Sequence, residues 1–123
     1  MDLELFLNRL ATRPETIELP DVIRLINERY EFVPTAFRND DLYNEAGQNS
    51  GACRVFAFAR LHDLDERQTL ALFGAYYRSD VLRTPGGDSH PNIRRFMRGG
   101  WAGIEFDGTP LRARAGRSRA QGR

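Results

Sequence analysis

The sequence predicts a mainly α, α+β domain: about five helices around a central helical hairpin, with a minimal β element. Three observations predict it. Leu3, Phe6, Leu7 and Leu10 stand at i, i+3, i+4, i+7, one apolar face of a helix. Two later stretches, 51–62 and 66–78, are apolar nearly all round, as helices buried in a core are. Two short segments, Tyr30–Val33 and Gly103–Phe106, alternate with period two, the mark of strand. At 123 residues, 41% hydrophobic and 28% charged, the chain has the size and composition of one globular domain.

The first helix has Asp2 and Glu4 where its positive end favours acids, and Pro14 limits its length. A second helix starts near Pro20 and buries Val22, Ile23, Leu25 and Ile26. The extended piece Tyr30–Val33 ends at Pro34. Residues 38–51 read as a polar loop, from which Asn49 or Ser50 caps the helix that follows. Cys53, Val55, Phe56, Ala57, Phe58 and Ala59 make that helix a core element. Asp65 and Gln68 form a capping box for its partner, which carries Leu70, Leu72 and Phe73. After the turn Thr84–Gly87, Ser89 or Asp88 caps a short helix with Pro91 in its first turn and Gly99-Gly100 at its end. The strand near Ile104–Phe106 is expected to pair with Tyr30–Val33. Residues 1–111 are thus the globular domain, and 112–123 an Arg-rich disordered tail.

Charge excludes several classes. All 18 basic residues are Arg, and five fall in 112–123, where no acid occurs. The remaining 111 residues carry 13 Arg against 17 acids, a net of −4. An acidic body does not suit specific nucleic-acid binding, which leaves only weak phosphate contact by the tail. One cysteine, Cys53, excludes an internal disulfide and a multi-Cys zinc site. No apolar run is long enough to cross a bilayer, and the N-terminus lacks the basic region of a signal peptide. The chain is read as cytoplasmic as synthesised.

Several residues carry chemistry. Cys53, near a helix start beside Arg54, has the setting of an activated thiol, with His90 or His62 as the base it would need. A buried core cysteine is the competing reading. His62 with Asp63 and Asp65, and His90 with Asp88, lack metal-ligand spacing, so no metal or other cofactor is expected. Tyr76, Arg78 and Arg95 mix aromatic with cationic groups able to grip an anion. Trp101 is either an exposed contact or a lid on the core.

Five strings carry a family resemblance. They are Pro34–Asn39, Asn44–Ala59, Phe73–Leu82, His90–Met97 and Gly100–Ile104. Together, and in this order, they resemble the HopJ type III effector family over about residues 3–111. The resemblance implies a small single-domain bacterial protein and assigns no activity. It also implies delivery into a host cell by a type III system as an alternative to a cytoplasmic life.

The leading expectation is a non-enzymatic binding or protein-interaction domain. Its partner would be an unknown protein or a small anionic ligand. Its site would comprise Asn44, Asn49, Ser50, Tyr76, Arg78, His90, Asn92, Arg95 and Trp101, which fall at loop ends and helix starts. The alternative is a cysteine-dependent hydrolase using Cys53 with His90. Asn44 is further expected to tie its loop to the helix that begins near Pro91.

Overall fold

The structure is a computed structural model that describes residues 2–114. Helix α1 (Leu3–Thr12) is capped by Asp2, whose carboxylate accepts from the Leu5 N–H at 3.2 Å, and it buries Phe6 and Leu10. Helix α2 (Leu19–Arg29) holds Pro20 in its first turn and buries Val22, Leu25 and Ile26. Strand β1 (Tyr30–Phe32) follows directly. Helix α3 (Ser50–Leu61) is the core helix its composition predicts: Val55, Phe56, Phe58 and Ala59 are fully buried. Phe56 is the hub, with Phe37, Phe73, Phe96 and Trp101 all meeting its ring at centroid distances of 5.0–6.4 Å. Helix α4 (Glu66–Ala71) opens with the predicted capping box: Asp65 accepts from the Gln68 N–H at 2.8 Å, and Gln68 returns the bond.

The second arm of the hairpin is shorter than the predicted 66–78. The α-helical winding stops after Ala71, because Gly74 turns left-handed at φ 59°. A Cβ there would lie 2.9 Å from the Leu19 backbone nitrogen, so only glycine lets this turn touch the start of α2. The chain then continues as a π-helical segment, Tyr76–Val81.

The β structure is larger than expected. Residues 38–51 are not all loop: strands β2 (Phe37–Asn39) and β3 (Leu42–Asn44) form a hairpin through Asp40, which adopts φ 58°. After helix α5 (Pro91–Gly99) and the turn Gly100–Gly103, strand β4 (Ile104–Phe106) pairs with β2, not with β1. Phe37 sits opposite Phe106, rings 5.9 Å apart, which places β2 at the centre of the β3-β2-β4 sheet. Strand β1 instead pairs with β5 (Leu111–Ala113), with Tyr30 opposite Ala113. Arg112–Arg114 therefore belong to the fold and not to a tail. Arg114 donates from its backbone to the Arg29 carbonyl and from its guanidinium to the Asn27 carbonyl. The rest of the expected tail lies outside the described residues.

Candidate functional site

Four asparagines tie the β2–β3 hairpin to the starts of α3 and α5. Asn44 and Asn92 form a reciprocal amide pair: Asn92 Nδ2 donates to Asn44 Oδ1 at 3.0 Å, and Asn44 Nδ2 to Asn92 Oδ1 at 3.2 Å. Asn39 Nδ2 adds bonds to Asn92 Oδ1 and to the Asn92 carbonyl, and Asn49 Nδ2 donates to Asn44 Oδ1 at 2.7 Å. Asn39, Asn44 and Asn92 are buried. The expected tie from Asn44 to the helix at Pro91 is this amide pair. Buried amides hold one orientation only when each partner is in place, so the network fixes the two helix starts relative to one another.

Neither helix is capped as the sequence predicts. Asn49 is left-handed at φ 50°, and its amide is drawn to Asn44 instead of accepting from α3. Ser50 donates its hydroxyl to the Gly47 carbonyl. At α5 the N-cap is His90, also left-handed at φ 50°, and not Ser89 or Asp88. The first backbone bonds of the two helices run from Cys53 to Asn49 and from Ile93 and Arg94 to His90. Among the described residues, the N–H groups of Gly51, Ala52 and Asn92 have no hydrogen-bond partner.

These three residues line one cleft of about 210 Å³. Its walls are Leu19, Phe73, Tyr76 and Ile93, with Asn49 and His90 among its polar groups. The His90 ring stacks on Tyr76, centroids 4.7 Å apart and 24° between planes. His90 Nε2 meets Asp80 Oδ2 at 3.0 Å. Tyr76 and Asp80 reach the same imidazole from the π-helical segment, a winding that recurs at functional sites. A second depression, lined by Glu18, Pro20, Ile23 and Ala75, shares Leu19, Phe73 and Tyr76 with the cleft. A wider, more open depression of about 740 Å³ beside Thr35 and Asp107 holds none of the expected residues.

Of the nine expected site residues, Asn49, Tyr76, His90 and Asn92 line the cleft, and Asn44 stands behind them. The other four do not come to it. Arg78 reaches the Ile17 carbonyl at 2.8 Å and Glu18 at 3.0 Å, holding α2 to the π-helical segment. Arg95 pairs with Asp41 at 2.7 Å, and this guanidinium keeps the Asp41 carboxyl below the usual carboxylate range. Trp101 donates Nε1–H to the Leu64 carbonyl and lies against Phe56 and Phe96 under the Arg60 guanidinium, as a lid on the core. Ser50 turns back to its own loop. The residues missed include Leu19, Phe73, Gly51, Ala52, Ile93 and Asp80. The first two are apolar walls that no polar motif marks, and Asp80 is paired with His90 only by the turn between them.

The Cys53–His90 dyad does not form. Cys53 is buried, its thiol directed at the Thr35 carbonyl at 3.6 Å. Burial pushes the thiol pKa up to about 11 against the lowering effects of Arg54 and Thr35, the reverse of an activated nucleophile. His62 Nε2 is held by the Tyr30 hydroxyl at 2.9 Å, and burial lowers its pKa. Among the described residues no group of three His, Cys, Asp or Glu side chains could hold a metal ion, and no helix is long and apolar enough to cross a membrane.

The arrangement extends over most of one recognised domain. Residues 3–111 match the family described as HopJ type III effector protein. The chain belongs to that HopJ family. Its fold is similar to the crystal structure of a protein of unknown function, VPA0580, at 46% identity, with a TM-score of 0.91. The match covers 93% of this chain and 95% of that one. No curated protein matches the chain. In this HopJ domain the cleft lies among the strings that carry the family resemblance: Asn49 to Ala52, Phe73, Tyr76, and His90 to Ile93.

Proposed function

We propose that the chain is a non-enzymatic binding domain whose site is the cleft between the starts of α3 and α5. The observation that carries this reading is the cleft itself: apolar walls from Leu19, Phe73, Tyr76 and Ile93, with Asn49, His90 and Asn92 also in its lining. The free N–H groups of Gly51, Ala52 and Asn92 suit a carboxylate or phosphate, and the walls suit an apolar body attached to it. A small metabolite and a side chain or terminus of a protein share this chemistry. The family's description supports the further reading that the chain is a type III effector, which would act in the host by binding and not by catalysis.

The test is titration of ¹⁵N-labelled protein with 4-methylpentanoate, 4-methylpentanamide and inorganic phosphate. The acid is expected to shift the Gly51, Ala52 and Asn92 amides with a Kd on the order of 1 mM, as suits so small a ligand. The amide is expected to bind more weakly. Ala52→Leu, which fills the cleft, should abolish the shifts. Shifts that are absent, or scattered over the surface, would overturn the reading. Delivery is tested separately, by fusing the chain to a reporter in a type III-competent strain and in its secretion-deficient mutant.

A further inference from the structure

We draw no further inference here: the strongest candidate, the apolar groove in which the cleft at the starts of α3 and α5 runs on over Leu19, Phe73 and Tyr76 into the depression beside Pro20 and Ile23, extends the site already described, and nothing in the structure shows what covers it.

Discussion

Replacing Asn44 by Ala tests whether the amide network holds the two helix starts in place. The substitution removes four hydrogen bonds: to Asn92 in both directions, from Asn49 Nδ2, and to the Phe37 carbonyl at 3.4 Å. The consequences differ by partner. Asn92 Oδ1 still accepts from Asn39, and Asn49 is exposed enough to find water. Asn92 Nδ2 loses the one partner it has and stays buried, which costs about 1–3 kcal/mol. The other bonds contribute roughly 0.5–1.5 kcal/mol each, least for the long one to Phe37. The total is about 3 kcal/mol, which lowers Tm by roughly 10–15 °C in a domain of this size. The assay is calorimetric or circular-dichroism melting of Asn44→Ala beside Asn49→Ala and Ser50→Ala. Asn49→Ala loses a single bond at the surface and should fall by about 1 kcal/mol or less. Ser50→Ala, whose hydroxyl bonds only within its loop, should melt close to wild type. An Asn44→Ala protein melting within about 3 °C of wild type, or no lower than Asn49→Ala, would refute the reasoning.

Three other outcomes follow from the same geometry. Gly74→Ala must hold a Cβ at φ 59° against the backbone of Ile17, Glu18 and Leu19, so urea unfolding should show a loss of about 2–3 kcal/mol; an unchanged midpoint would show that the turn relaxes freely. Cys53 should resist an aromatic disulfide reagent in the native state near pH 8 and react stoichiometrically in guanidinium, whereas rapid native labelling would contradict its burial and raised pKa. Burial lowers the His62 pKa below its ordinary 6.5, so the unfolded chain takes up this proton at higher pH than the folded one. The destabilisation is absent above 6.5 and grows as pH falls through 6.5 toward the folded value. Wild type should therefore lose more Tm than His62→Gln between about pH 7.5 and 5.5, and parallel curves would sink the assignment.

Much of the helical framework was legible because its signals are local. Phe56 and Phe58 declare a core helix by composition, Asp65 and Gln68 a capping box by spacing, and Pro91 a first turn by its missing N–H. The β structure was not, for two physical reasons. Each strand of the β2–β3 hairpin spans three residues, too few to show a period. The buried residues Asn39 and Asn44 are polar, so the strands read as loop. Pairing of β4 with β2 rather than β1 is a choice between distant segments, decided by Phe37 meeting Phe106 over Phe56. The site was half legible. Asn49, His90 and Asn92 stood out as polar residues at helix starts. The caps were misread because the Asn49 amide turns back to Asn44, five residues earlier, and because the start of α5 falls on His90, whose ring turns to Asp80, and not on Ser89 or Asp88.

The pairing of β1 with β5 sets where this domain can be cut. The family match ends at residue 111, yet Arg112 and Ala113 lie opposite Glu31 and Tyr30, and Arg114 bonds back to Asn27 and Arg29. A fragment trimmed to the family boundary would keep Leu111 opposite Phe32 but leave Tyr30 and Glu31 of β1 without their strand partners, beside Phe58 and His62, which rest against Tyr30. Anyone excising the domain for fusion, display or crystallisation should keep the chain through Arg114, because its C-terminal staple lies just beyond the stretch by which the family is recognised.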